Sequence, residues 1–485
     1  GADRPSVIFI LIDGISHYGV SAYGAKELNS TEGLFESVAV STPEIDRLAD
    51  EGVLAKNAFA YAICEPTRVA LMTGMNNQRN FVQAKALHAS QITFGDLFKQ
   101  AGYTTGIAGK WKQSRGTATI PGDAYVDQFG WDEIHCFDLL YEGPRHIDPN
   151  FVINGKINWY KGLNPETKRR YYGPELVNRF ALDFIETHQH EPFFLYYPML
   201  LVHDEHTPTP DTQPNEHYDN FEVMTHTGIK PDNSFGAFKG DDRRFYPDMV
   251  AYMDKMIGKV TDQLDRLGLR EKTLIIVMGD NGTKAAFSYT LEDGSVFIGA
   301  KGQSKVNGLQ VPLILSYPGS IAARSTYDGL INLTDLLPTL CELADINIPH
   351  KEEIDGISFW PQVTGNQNEA HRENLYTWYN ANRAMADQSK LITYAQEIGF
   401  KRYGPDTNYP NGRFFDLRTD PFERTGAQKV KFDWNNWHHS GLDISKLTKA
   451  QSAAYDRLGA VLRKNAYCPV SAVKIVAPTS RLKIN

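Results

Sequence analysis

The sequence predicts an α/β fold with a smaller antiparallel unit behind it, and three observations predict it. Several apolar runs are continuous rather than alternating, among them Ser6 to Asp13, Thr104 to Ala108, Phe193 to Leu201 and Thr273 to Met278. That is the pattern of strands covered on both faces in a parallel sheet. Amphipathic helical segments lie between these runs, the alternation expected of βαβ units. Near residue 365 the character changes to short strand-like pieces closed by one helix.

Taken in order, Ser6 to Asp13 is the first buried strand, and Asp13 ends it where open α/β sheets place their ligands. Pro43 to Gly52 is a short helix with Pro at its start and Gly at its stop. Pro66 predicts a helix that opens just after Cys64, because a missing N–H costs nothing at the first helical position. Phe94 to Gly102 is a helix. The strand Thr104 to Ala108 leads into Gly109-Lys110-Trp111-Lys112. Pro121 to Arg170 lacks periodicity and reads as loops and short strands walling a cleft. Tyr172 to His188 is a helix, and Phe193 to Leu201 runs into His203-Asp204-Glu205-His206.

Pro208 to Gly240 is a polar, Pro-rich and Asn-rich inserted loop of a length that is usually functional or mobile. Asp241 to Leu267 carries a long helix whose apolar spacing needs no cofactor to explain it. The strand Thr273 to Met278 ends in Gly279-Asp280-Asn281-Gly282, repeating the arrangement at Asp13. Val311 to Tyr317, after Lys301-Gly302, reads as a third such strand, and Thr334 to Ala344 as a helix. Asn374 to Tyr379, Leu391 to Tyr394, Lys401 to Tyr403 and Arg413 to Leu417 read as antiparallel strands, with a helix from Lys446 to Arg463. These readings place a boundary near Thr364, dividing 1–364 from 365–485.

Composition narrows the function. The chain has 485 residues, 50 Lys and Arg against 58 Asp and Glu, and a net charge of −8. This argues against nucleic acid as a partner, since phosphate backbones are held by clustered cations; an anionic substrate needs its cations focused in a cleft. The longest apolar run near the start, Val7 to Ile12, is far too short to span a membrane. Four Cys in so long a chain do not make a disulfide scaffold, so Cys136, Cys341 and Cys468 read as free or buried thiols. A start at Gly1-Ala2-Asp3, without an initiator Met, is what removal of a signal peptide or trimming of the chain would leave.

The most informative stretch is Cys64-Glu65-Pro66-Thr67-Arg68. A helix N-terminus favours negative charge, and Arg68, one turn in, adds a fixed cation, so Cys64 stands in an anion-receiving corner. The longer string Cys64-x-Pro66-x-Arg68-x-x-Leu71-x-Thr73-Gly74 resembles the signature of the type I sulfatases. Asp13, Gly109-Lys110-Trp111, His203, Asp280-Asn281-Gly282, Lys301-Gly302, Phe415-Asp416-Leu417 and Asp420-Pro421 then follow in matching order. The resemblance spans most of the chain. It implies the alkaline phosphatase-like fold: a large α/β domain with a central, mostly parallel mixed sheet between helices, and a small C-terminal domain with an antiparallel sheet and a helix.

It also implies a chemistry. In the family the Cys is oxidised to formylglycine by a maturation enzyme, and a hydroxyl of the hydrated aldehyde attacks sulfur. Asp13, Asp280 and Asn281 would hold Ca²⁺, a hard ion suited to oxygen ligands. Arg68 would fix the nucleophile, Lys110 and Lys301 would clamp sulfate oxygens, and His203 would protonate the leaving oxygen or bind sulfate. Two positions depart from the family: Gly14 stands where a second Asp is usual, and Lys112 where many members carry a His. Arg145, His146 and His206, with Arg115, lie in the expected cleft wall and could contact the substrate.

The aromatic loops and the similarity of Tyr196-Tyr197-Pro198 through Asp211 to bacterial polysaccharide sulfatases point to O-desulfation of a sulfated carbohydrate, either algal galactans or glycosaminoglycans. A periplasmic or secreted location follows by analogy. The alternatives are a phosphoester or phosphonate monoester hydrolase of the same superfamily, and a catalytically impaired carbohydrate-binding relative.

Overall fold

A computed structural model describes residues 4–80, 87, 91–113, 123–137, 144–223, 241–380, 391–431 and 437–466. Arg115 and Cys468 lie outside the described residues. The large domain is built on one ten-stranded sheet. In chain order its strands are β1 (Ser6–Ile12), β2 (Val53–Phe59), β3 (Thr104–Lys110), β4 (Glu133–Phe137) and β5 (Asn150–Ile153). They continue with β6 (Lys156–Trp159), β7 (Phe193–Pro198), β8 (Thr273–Gly279), β9 (Leu313–Ser316) and β10 (Ser325–Asn332). Across the sheet the order is β10-β2-β9-β8-β1-β7-β3-β4-β5-β6.

The central run β8-β1-β7-β3-β4 is parallel throughout. β9 runs antiparallel to β8 and to β2, and β5 and β6 close the far edge as an antiparallel hairpin. The expectation of two-sided burial is met residue by residue. Val7, Phe9 and Leu11 pack into one core, Ile8, Ile10 and Ile12 into the other, and all six are fully buried. The first core includes Val69 to Met72 of the helix Cys64–Thr73; the second includes apolar residues of the helices Gly173–Thr187 and Tyr246–Arg266. Each fully buried aliphatic side chain contributes roughly 1.5–3 kcal/mol, so the alternating strand cements two layers of helix to one sheet.

Two elements differ from the sequence reading. The helix begins at Cys64 itself, with Ile63 as its extended N-cap residue, because Pro66 still falls in the first turn, where an N–H has no intrahelical partner. Gly74 ends it at a φ of +68°, its N–H bonding the Ala70 carbonyl. The strand expected at 311–317 is Leu313–Ser316 and is antiparallel to its neighbour. After β8 the chain stays at the carboxyl edge of the sheet and re-enters from there, so this strand carries no functional group at its far end.

A second, four-stranded sheet (Val296–Ile298, Phe287–Leu291, Ala25–Ser30, Val38–Ala39) was not foreseen. The C-terminal antiparallel sheet is formed by Leu375–Asn380, Leu391–Gln396, Phe400–Tyr403 and Arg413–Asp416 and is packed by the helix Lys449–Ala466. This unit reaches back to the large domain: Glu423 accepts the Val306 N–H at 2.6 Å, and the Tyr403 hydroxyl donates to the Ser304 carbonyl at 2.7 Å. No described helix is long and apolar enough to cross a membrane. Cys64, Cys136 and Cys341 are buried and form no disulfide among the described residues.

Candidate active site

Register brings the first two carboxylates together. β1 and β8 pair in parallel with Ile12 opposite Gly279, so the next residue of each strand, Asp13 and Asp280, leaves the sheet side by side. The Asp280 N–H bonds the Ile12 carbonyl, and the Gly14 N–H donates to Asp280 Oδ1 at 2.9 Å. Gly14 adopts a φ of +73°, and a Cβ built there would meet nothing within 4 Å. The tight turn that glycine permits thus replaces a side chain with a backbone donor and leaves open space.

Arg68 rises from the first turn of the Cys64–Thr73 helix and bridges both acids. Its Nη2 lies 3.0 Å from Asp13 Oδ2 and 2.9 Å from Asp280 Oδ2, with all three side chains fully buried. Lys110, at the end of β3, places Nζ 2.5 Å from Asp13 Oδ2 and 3.6 Å from Cys64 Sγ. Burial would raise the Asp13 pKa, yet Lys110, His203, Lys301 and Arg68 outweigh it and hold the carboxyl well below its usual range. Burial and the Asp13 charge push Asp280 upward. Burial depresses Lys301, but Asp13 and its other neighbours prevail and the pKa is raised.

Cys64, Asp13 and His203 converge. One ligand atom from each lies within 4.8 Å of the others. The thiol is not activated: burial, then Glu65, raises its pKa above the ordinary value, and a neutral thiol is a poor nucleophile. Lys112, two residues beyond Lys110, places its Nζ 3.4 Å from Glu65 Oε1, and its charge acts against the rise of the Cys64 pKa.

The opposite wall is built on loops. His203 Nδ1 lies 2.5 Å from the Asp204 carbonyl and 2.6 Å from Asp204 Oδ1, which leaves Nε2 as the nitrogen open to a ligand. Lys284 holds the other Asp204 oxygen at 2.7 Å. Burial drives the His203 pKa down to about 3 despite Asp204. Arg145 Nη2 donates to the Asp204 carbonyl at 2.6 Å and approaches His203 Nδ1 at 3.5 Å. His206 Nδ1 pairs with Asp241 at 2.8 Å. The outer nitrogen of His206 and both nitrogens of His146 are buried without a hydrogen-bond partner.

The predicted residues are therefore gathered, Lys112 among them through its contact with Glu65. Sequence reasoning gave no role to Asp204, Lys284, Asp241 or Glu65. Asp204 and Glu65 sit beside residues that were singled out, and that adjacency was the available signal; Lys284 and Asp241 gave none. The donor set fits a hard cation: Asp13 Oδ1 and Asn281 Oδ1 are buried with no hydrogen-bond partner, and unmatched buried oxygens are costly unless something fills them.

At the carboxyl edge of an α/β sheet, Arg68, Lys110 and Lys301 face Asp13 and Asp280 beside the buried Cys64, an arrangement suited to a hydrolase of anionic esters. The comparisons narrow it. The Sulfatase family model matches residues 5–346, and the C-terminal model of N-sulphoglucosamine sulphohydrolase matches 304–432. The chain belongs to the sulfatase family and is a sulfuric ester hydrolase.

Among its relatives, N-acetylgalactosamine-6-sulfatase of Mus musculus is 26% identical over 87% of this chain and 81% of its own. The N-acetylgalactosamine-6-O-sulfatase of Bacteroides thetaiotaomicron is 24% identical over 88% and 90%. The crystal structure of Ps i-CgsB in complex with k-i-k-neocarrahexaose superposes with a TM-score of 0.71 at 20% identity, over 98% of this chain and 96% of that one. The phosphonate monoester hydrolase of Agrobacterium radiobacter shares the fold at a TM-score of 0.65 and 18% identity, over 96% of each.

Proposed function

We propose that this enzyme removes sulfate from the hydroxyls of a sulfated carbohydrate, oligomeric or polymeric, with Cys64 matured to formylglycine and Ca²⁺ bound by Asp13, Asp280 and Asn281. The convergence of Asp13, Cys64 and His203 within 4.8 Å carries the reading, and relatives named as sulfatases of N-acetylgalactosamine, with a structural neighbour solved with a neocarrahexaose, support the substrate class. The raised thiol pKa favours a modified residue over the cysteine itself. Hydrated formylglycine supplies an oxygen nucleophile for sulfur, and the cation neutralises charge on the sulfate.

The protein's own groups do the rest. Lys110 and Lys301 receive sulfate oxygens, where preorganised cations in a dry site act most strongly. Arg68 fixes the helix end that bears the nucleophile and keeps the two carboxylates from repelling one another. His203 is neutral in the free pocket; a bound anion beside it favours its charged form, so on substrate binding the imidazole takes a proton from solvent and passes it to the departing alkoxide. Asp204 keeps the imidazole turned with Nε2 inward. Arg145, His146 and His206 receive the sugar.

The same reading places a maturation enzyme that oxidises Cys64 among the partners, puts the enzyme in the periplasm or outside the cell, and divides it into a catalytic unit, 1–364, and a C-terminal unit, 365–485. A panel of sulfated oligosaccharides, with phosphate and phosphonate monoesters run alongside and released anion as readout, tests the activity. Sulfate release from a sugar is the expected result. Preferential phosphonate turnover, or an intact mass showing unmodified Cys64 in active enzyme, overturns it.

A further inference from the structure

The hairpin at the far edge of the large sheet has a composition that neither the fold nor the catalytic pocket requires. Between residues 155 and 170 the sequence holds five Lys or Arg and a single acid, Glu166, in a chain whose net charge is −8. Arg169 and Arg170 are committed to Asp219 and Asp148, but Lys156, Lys161 and Lys168 enter no ion pair among the described residues. Trp159 is 48% exposed and Leu163 64%. The Lys161 ammonium lies 4.9 Å from the centroid of the Trp159 ring.

Edge strands are often guarded by lysines against pairing with other chains, which accounts for cations here but not for a half-bare indole. Register explains why the indole matters. Lys110 on β3 stands opposite Phe137 on β4, Cys136 on β4 opposite Val152 on β5, and Asn150 on β5 opposite Trp159 on β6. Trp159 therefore emerges at the same carboxyl edge as Lys110, whose ammonium touches Asp13. Three strand spacings separate them, about 14 Å. The segment between β4 and β5 bears Arg145 and His146, and Arg145 Nη2 approaches His203 Nδ1 at 3.5 Å.

We propose that Trp159 with Lys161 forms a remote subsite that holds a distant unit of a sulfated polysaccharide while another unit occupies the catalytic pocket. This rests on the carbohydrate reading above. An exposed aromatic face suits the apolar C–H face of a pyranose and keeps its polar edge wet, and an ammonium fixed beside it supplies a cation for a sulfate on the same sugar. A second attachment point on one chain raises affinity through effective concentration without altering the chemistry of the pocket.

The test is the double substitution Trp159→Ala and Lys161→Ala, with binding read by affinity electrophoresis in gels carrying carrageenan or chondroitin sulfate, each beside its desulfated form. Binding is measured in a Cys64→Ala background, so that the polymer is not consumed. The expected result is an affinity for the sulfated chain at least about tenfold weaker, the loss of one stacking face and one cation, with kcat/KM on a small aryl sulfate unchanged in the Cys64 enzyme. Equal affinity of variant and parent, equal retention by the desulfated chain, a parent that binds no polymer, or a change only in oligomeric state overturns the subsite. A parent that binds through Trp159 yet releases no sulfate from any sugar leaves the subsite standing and removes the carbohydrate-desulfation reading instead.

Discussion

The floor and the wall of the pocket are built on opposite principles. On the floor, Arg68 and Lys110 are locked onto Asp13 and Asp280 at strand ends, fully buried, each charge answered by another. On the wall, His146 and His206 present buried nitrogens with no partner, held by loops that follow no repeating ladder. A charge already paired inside a protein is strongly destabilising to unpair, whereas an unmatched polar atom gains only when a ligand arrives. The floor therefore couples chemistry to folding, and the wall couples recognition to binding; substitutions should separate the two.

The largest effect belongs to the nucleophile. Cys64→Ala should abolish sulfate release with the melting temperature little changed, since one small buried group is lost; full activity in that variant breaks the mechanism. Arg68→Ala should lose at least about a hundredfold in kcat/KM and also about 3–5 kcal/mol of stability, because two buried carboxylates lose their shared partner. Denaturant titration beside kinetics reads both. Lys301→Ala should lose a comparable factor in rate with less effect on stability, since no ion pair to its ammonium is formed among the described residues.

Between floor and wall, Asp204→Asn should lower kcat by about 10–100-fold, the scale of losing a partner that orients a functional histidine, with KM for small esters little altered. On the wall itself, His146→Ala should raise KM for the carbohydrate several-fold and leave a small aryl sulfate untouched; an equal loss on both would merge the two regions. Chelation should lower activity and calcium restore it. Gly14→Asp, which has open space at Cβ and a residue type that tolerates positive φ, should tighten calcium binding measured by calorimetry.

Acid separates the regions most gently. Burial lowers His17 to about 3 and His135 to about 4. The unfolded chain takes up these protons near pH 6.5, so it binds more protons than the native state between those values. Stability is then full above pH 6.5 and falls as pH drops through 6 toward 4. On the floor Asp13, held low by its cations, stays charged over that window, while Asp280, pushed up to about 6 by burial and by Asp13, takes up a proton and offsets part of the loss. A denaturant midpoint that is flat from pH 7 to pH 4.5 would contradict this.

Much of the floor was legible because its signals are local. An uninterrupted apolar run ending in Asp13, another ending in Asp280-Asn281, and a Cys-x-Pro-x-Arg string at a helix start are each read from a few consecutive residues, and the family order of these pieces follows from the chain alone. The positions of helices and C-terminal strands came the same way, to within a few residues. What the tertiary structure decided was lateral: that β9 runs backward, that Lys110 reaches Asp13 while Lys112 reaches Glu65, that Lys284 anchors Asp204, and that Trp159 emerges at the same end of the sheet as Lys110. Hydrophobic periodicity and turn chemistry act over a handful of residues, whereas strand order and register are set by how distant segments share one core. Which of two neighbouring lysines enters a pocket is a property of that packing.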